Sequence, residues 1–402
     1  MIYFKLTTIK TLIIGGGISG ITAAVELAEA GREVVLIEKE PYLGGQVSGF
    51  NSYFPKLCPP ACGLEINFRR IRSNPRITYF TGAEVADISG SDGDFSVKIA
   101  IRARLINKHC TACGKCADVC PEEMAEANGW GAGTRAAYIP GGLAFPMKYT
   151  IDPESCKKEA CGKCLDVCAH DAIQLDARAT EIELQVGKII VATGWKLYDP
   201  SRIENYSYVQ EKDVITNLEF EHLMASCTRE NKKLTRPSDG KKPGRIAFIQ
   251  CAGSRDHNHL PYCSAVCCSA SLKHALTLAE NYPEISSEIF YIDLRVSGRN
   301  EKLLKRAESN DQITLTRGKA GRITQSGSGE GLQVEVEDVM AGRRREETFD
   351  LVILAMGLEP NHIATDLEQS PGIFIASSCK RPMDVVSSVR DATATALKTM
   401  QH

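Results

Sequence analysis

The residues with the most chemistry in this sequence are its cysteines. Segment 110-CTACGKCADVCP-121 reads C-x2-C-x2-C-x3-C-P, a spacing in which three thiolates wrap one cubane and the fourth reaches a second. A companion run, 156-CKKEACGKCLDVC-168, has a first gap of four residues rather than two, and Ala169 instead of proline after its last cysteine. Crossing the two arms assigns Cys110, Cys113, Cys116 and Cys168 to one [4Fe–4S] cluster, and Cys156, Cys161, Cys164 and Cys120 to another. Structural zinc uses two separated pairs rather than runs of four, so it is the weaker reading.

A third group, Cys251, Cys263, Cys267 and Cys268, follows an apolar strand, 244-GRIAFIQ-250, and precedes a helical stretch, 271-SLKHALTLAEN-281. A dinucleotide-binding β-α-β unit would place close-approach glycines between such elements, and here 251-CAGSRD-256 and 262-YCSAVCCSA-270 stand instead. The nicotinamide site expected there is therefore compromised. The four thiols either ligate a third [4Fe–4S] cluster, with a helix N-terminus and Arg255 offsetting their charge, or serve as buried structural cysteines. Cys58 and Cys62, in 58-CPPACG-63, are structural or cluster-adjacent first and a redox-active disulfide second; Cys227 has no assigned role.

Residues 11–38 read as strand, glycine turn, helix and strand: Thr11–Ile14, 15-GGGISG-20, 21-ITAAVELAEAG-31 and 33-EVVLIE-38. Gly15 permits the tight turn, Gly17 lets the backbone approach a pyrophosphate, and Gly20 lets the helix pack closely on the sheet. Glu38 ends the second strand, where its carboxylate accepts hydrogen bonds from a ribose diol. This is a dinucleotide site in its full context.

Sixteen cysteines are many for a reducing compartment, and metal ligation explains them better than a disulfide scaffold. A chain of 402 residues admits two or three domains, and a net charge of −2 gives no nucleic-acid footprint. The longest apolar runs, such as 351-LVILAM-356, are strand-sized, so no membrane-spanning segment is expected. MIYFKLTTIK lacks the features of a secretion signal, and the expected location is cytoplasmic.

Segment 38-EKEPYLGGQ-46 resembles the two-dinucleotide-binding-domain flavoproteins, as do 80-FTGAEVADISG-90, 188-KIIVATGW-195 and 372-GIFIASSCKRPMDVVSSVRDA-392. That likeness implies FAD, held by Gly15, Gly17, Ser19, Gly20, Glu38, Lys39, Gly44, Gly45, Gln46, Val85, Ala192, Thr193, Gly194, Met383, Asp384 and Val385. It places Cys379 near the flavin ring or near Cys251–Cys268. The expected fold is α/β, with two Rossmann-like domains of thioredoxin-reductase type and an inserted ferredoxin-like dicluster α+β domain. The expected bounds are 1–104, 179–243 and 350–402 for the FAD domain and its connections, 105–178 for the insertion, and 244–349 for the altered second domain.

The stretch 249-IQCAGSRD-256 with 262-YCSAVCC-268 resembles the A subunit of heterodisulfide reductase, which implies the third, atypical cluster. Segments 53-YFPKLCPPACGLEINFRRIRSNP-75 and 143-LAFPMKYTIDP-153 resemble the A subunit of the quinone-interacting membrane-bound oxidoreductase complex. That resemblance implies electron relay between menaquinol and adenylylsulfate reductase in dissimilatory sulfate reduction. Its implied partners are adenylylsulfate reductase, a second flavoprotein of the complex and its quinone-interacting membrane subunit, with the chain peripheral to the membrane through them. Alternatives are a stand-alone NAD(P)-dependent disulfide reductase, a zinc-binding scaffold, and a heterodisulfide-reductase-A-like relay or bifurcating subunit.

Overall fold

A computed structural model of the chain describes residues 10–124, 135–141, 143–327, 329–362 and 370–401. Parallel strands buried on both faces read as continuous apolar runs, and the first sheet is built of these. Its five strands lie in the order Ile373–Ile375, Lys188–Val191, Thr11–Ile14, Val34–Glu38, Ile77–Thr81. Alternation splits each strand between two cores. Ile13, Leu36 and Ile190 pack under the helices Ile18–Glu29, Ala61–Ser73 and Val385–Gln401. Leu12, Ile14, Val35, Ile37 and Ile189 pack on an antiparallel sheet of Ala83–Ser91, Asp94–Ile101 and Thr180–Val186.

The ferredoxin-like insertion leaves and re-enters through two paired strands of that antiparallel sheet. Asp94–Ile101 and Thr180–Val186 stay in register from Phe95↔Val186 to Ile101↔Thr180, so the chain ends that bracket the insertion emerge side by side. A domain can be added at such a point without breaking a ladder. The insertion has a small core of Leu105, Ala137, Ile151, Ile173 and Leu175, and Cys116, Cys120, Cys156, Cys164 and Cys168 pack against it. Among the described residues this core is small for a domain of this size, and bound clusters would complete it. Part of the Gly-rich loop at 129–142 lies outside the described residues.

The second sheet has seven strands, ordered Val214–Thr216, Leu351–Met356, Arg245–Ala252, Ser286–Tyr291, Ile313–Gln325, Leu332–Asp338, Arg343–Phe349. Two assignments change here. Leu351–Met356, expected in the closing segment of the first domain, pairs with Arg245–Ala252 and Val214–Thr216 and belongs to this sheet. Val214–Thr216, with the capped helix Asn217–Glu230, likewise joins the second domain. An all-apolar strand fits either sheet, so composition alone does not place it. The helix expected from Ser271 begins at Cys267, which puts Cys267 and Cys268 on its first turn.

Candidate functional site

A cavity of 720 Å³ runs from the glycine turn of the first domain to the second, within the roughly 300–1,000 Å³ of ligand pockets. Gly15, Gly17 and Ser19 line its start; Glu38, Lys39, Gly45, Gln46 and Val85 follow; Ala192, Thr193 and Gly194 form its middle, with Met383, Asp384 and Val385 opposite. Gly20 and Gly44 stand behind the wall. A Cβ on Gly20 would lie 1.8 Å from the Gly15 carbonyl oxygen, so its role is to let the helix seat on the turn. Gly44 backs onto Ser48 and Phe68.

Glu38 is buried and accepts hydrogen bonds from the backbone N–H groups of Gly16 (2.6 Å) and Glu40 (2.9 Å). Burial raises its carboxyl above the usual range, opposed by those two bonds. Each carboxylate oxygen keeps lone-pair capacity for a ribose diol. Gly45 approaches Gly17 so closely that a Cβ on it would be 2.8 Å from the Gly17 Cα. The Gly44 N–H donates to the Gly16 carbonyl at 2.9 Å, so the two turns are joined and present side-chain-free backbone along the cavity wall, a surface a pyrophosphate can approach; the donor set fits FAD.

At the other end of the cavity is a group that no sequence motif announces. Glu221, Lys273 and His274 all line the cavity and are all buried. Glu221 Oε2 contacts both Lys273 Nζ and His274 Nε2, while its Oε1 accepts from the backbone of Asn51 (2.9 Å) and Ser52 (3.3 Å). Lys273 also donates to the Ser52 carbonyl at 2.9 Å. The two helices of the second domain are thus tied to the loop that follows the FAD glycines. Burial opposes ionisation of Glu221, yet Lys273 and His274 together hold it well below the usual range. Burial lowers both Lys273 and His274. His274 Nδ1 is buried with no hydrogen-bond partner among the described residues.

The cysteines gather as three groups. Cys156 lies within electrostatic reach of Cys120 and Cys161, and Cys164 within reach of Cys156, Cys120 and Cys161; burial, and then these neighbours, raises both thiols. Cys120 therefore crosses to the second arm. Cys116 faces Cys110 and Cys113, and burial chiefly pushes it up to about 11. Cys168 packs on the same small core and accepts a hydrogen bond from Ala172 N at 3.4 Å.

In the second domain Cys251, Cys263, Cys267 and Cys268 are mutual neighbours. Burial raises Cys251, Cys267 and Cys268, the last pushed up to about 11. Cys251 (φ 59°), Arg255 (φ 56°) and Ala265 (φ 57°) all occupy the left-handed region without being glycine, a cost of about 1–3 kcal/mol each that the surrounding contacts must hold. Cys267 also lines the 720 Å³ cavity, so the four-thiol pocket and the dinucleotide cleft share a wall. Among the described residues no three His, Cys, Asp or Glu groups close on one point.

The remaining cysteines also have positions. Cys379 accepts a hydrogen bond from Gly194 N at 3.0 Å and lies 3.2 Å from Thr193 Oγ1, beside the strand end that lines the cleft. Cys58 and Cys62 stand at the start of helix Ala61–Ser73, near Tyr53, which lines the cavity. Cys227 is buried in helix Asn217–Glu230.

Comparison with known proteins agrees with this geometry. The FAD dependent oxidoreductase family matches residues 11–57, and the 4Fe-4S dicluster domain family matches residues 109–172. The second of the iron-sulfur A subunits of CoB–CoM heterodisulfide reductase in Methanopyrus kandleri is 39% identical over 97% of this chain and 64% of its own length. The A subunit of the ferredoxin/F420H2-dependent CoB–CoM heterodisulfide reductase of Methanosarcina acetivorans is 35% identical over 98% of this chain and 53% of its own. The chain thus spans between about half and two thirds of the length of these relatives. A solved 2-naphthoyl-CoA reductase complex, 14% identical, superposes with a TM-score of 0.50 over 98% of this chain and 40% of that one, a likeness of fold alone. The protein is an α/β oxidoreductase that carries FAD and [4Fe–4S] clusters.

Proposed function

We propose that this relative of heterodisulfide reductase A subunits is an electron-relay subunit, passing electrons between FAD and three [4Fe–4S] clusters inside a larger assembly. The carrying observation is the shared wall: Cys267 belongs both to the flavin cleft and to the four-thiol pocket. FAD, when bound, exchanges electrons in pairs or singly, and clusters take them singly, which is the reason to hold both on one chain. The chain's own residues bind and orient. Glu38 and the joined turns at Gly17 and Gly45 hold the dinucleotide, and the Glu221–Lys273–His274 group closes the far end and keeps water from it.

The pocket that would hold a nicotinamide in a self-sufficient reductase is filled by cysteines, so electrons enter and leave through protein partners. Anaerobic quantitation tests this: about twelve irons per FAD fits three cubanes, and about eight leaves only the insertion filled. Rapid reduction of the purified chain by NAD(P)H alone would overturn the relay reading.

A second reading places the chain in a quinone-interacting membrane-bound complex that feeds adenylylsulfate reductase. The two segments that carry that resemblance touch: Phe145 stacks on Phe68, with ring centroids 4.9 Å apart and planes 12° apart, and Arg72 lies over the Phe145 ring. Among the described residues no helix is long and apolar enough to cross a membrane, so contact with a quinone would come through a partner. Reconstitution with menaquinol and the candidate partners, against a heterodisulfide substrate, separates the two readings.

A further inference from the structure

The left-handed turn that ends strand Arg245–Ala252 brings Arg255 back over the cysteine four residues before it. The Arg255 guanidinium donates to Cys251 Sγ and pairs with Asp293 Oδ1. The other Asp293 oxygen accepts from Arg295 Nε at 3.1 Å. The Arg295 backbone N–H donates to Cys268, and its side chain lies within electrostatic reach of Cys263. Two guanidinium groups and one carboxylate are therefore held against three of the four thiols, with a net positive charge. The Arg255 backbone is fixed as well, since its N–H donates to the Tyr262 carbonyl at 3.1 Å.

Reducing a cluster adds one negative charge to it, and a nearby fixed positive charge favours the reduced form. We infer that the Arg255–Asp293–Arg295 group sets the reduction potential of the third cluster and raises it, with Arg255 as the tuning contact on Cys251. This rests on the reading of the four thiols as cluster ligands. Arg255 is a positioning and tuning residue, because it reaches the electron acceptor only through a ligand thiolate. The Asp293 carboxylate works in the opposite direction by offsetting part of the positive charge.

The test uses anaerobically prepared holoprotein and a redox titration followed by electron paramagnetic resonance. The third cluster's signal is the one lost in a Cys251→Ser/Cys268→Ser double variant, together with about four irons per chain. Arg255→Gln is expected to disfavour the reduced cluster tenfold, about 59 mV downward for one electron. Asp293→Asn is expected to shift it upward, and Arg255→Lys, which keeps charge but loses the planar fork, to fall between wild type and Arg255→Gln. Opposite shifts at full iron content support the inference, because a merely structural role does not change sign with charge. Shifts of the same sign, or none, with full iron overturn it while leaving the cluster reading intact. If the double variant loses no iron, the cluster reading itself falls, and the inference with it.

Discussion

Replacing Glu221 by Gln tests whether the buried group beside the flavin cleft is held by ionic pairing. The amide keeps the shape and can still accept the Asn51 and Ser52 N–H groups, but it offers Lys273 no anion. Lys273 is then left with one acceptor, the Ser52 carbonyl at 2.9 Å. Breaking a buried pair from one side costs about 3–5 kcal/mol. The upper bound follows independently, because Lys273 can shed its proton. Deprotonating at pH 7 a group whose unfolded pKa is about 10.4 costs about 3.4 × 1.36, or roughly 4.6 kcal/mol.

The sign with pH is fixed by this. A lysine whose folded pKa is depressed makes stability rise with pH up to its unfolded pKa, so the deficit of the variant shrinks toward pH 9–10. At about 2.1 cal/mol/K of unfolding entropy per residue, a chain of 402 residues loses roughly 4–6 °C of melting temperature at pH 7. The assay is thermal melting with excess FAD at pH 7 and pH 9, with hydrogen exchange of residues 50–60 to show release of the tied loop. Adding Lys273→Met should recover most of the loss, since removing both charges is far cheaper than removing one. A loss below about 1 kcal/mol at pH 7, with no recovery toward pH 9, would refute the pairing.

Three further outcomes are expected. Gly20→Ala drives a methyl group into the Gly15 carbonyl oxygen, 1.8 Å from where the Cβ must go, and purified protein should lose most of its FAD absorbance. Cys120→Ser should reduce the cluster of Cys156, Cys161 and Cys164 and spare that of Cys110, Cys113 and Cys116, since Cys120 lies among the former; loss of the wrong signal by electron paramagnetic resonance would reverse the crossing. In wild type, Glu221 is held below its ordinary range, so its contribution is complete above about pH 4.5 and is lost as the pH falls below that toward its folded value. A melting curve measured from pH 6 to pH 3 should fall more steeply in wild type than in Glu221→Gln.

Sequence is legible wherever spacing is local. The strand, turn, helix and strand of residues 11–38, and the two cysteine runs, carry their chemistry within a few dozen residues, and the first of these folds in the order its spacing implies. What escapes is set by distance along the chain. Glu221 and Lys273 are 52 residues apart, and Lys273-His274 in a helix that also carries Ser271, Thr277 and Glu280 gives no hint that its charge faces inward. Leu351–Met356 lies in the second sheet rather than the first, because a run buried on both faces fits either core. The start of the helix at Cys267 is hidden because neither cysteine nor valine is a capping residue, and Val266 at its N-cap makes no side-chain bond.

That early helix start carries the functional argument. The sequence reading, with the helix from Ser271, leaves Cys267 and Cys268 in the preceding loop, as candidate ligands whose placement the loop does not fix. With both cysteines on the first turn, Cys267 is buried against the Met356 carbonyl, its Sγ 3.3 Å away, at the end of a central strand of the sheet. The position that admits a soluble nucleotide in a doubly wound sheet is the crevice at the strand ends. Here Cys251 and Cys267 occupy that crevice, and one of them also lines the flavin cleft. Under the proposed relay, a cluster held by these cysteines would deliver electrons where a diffusing nucleotide would otherwise dock. Such a fixed group would itself be filled and emptied by contact, and on that proposal the dicluster insertion, set on adjacent strands of the FAD domain, would be the route to partner proteins.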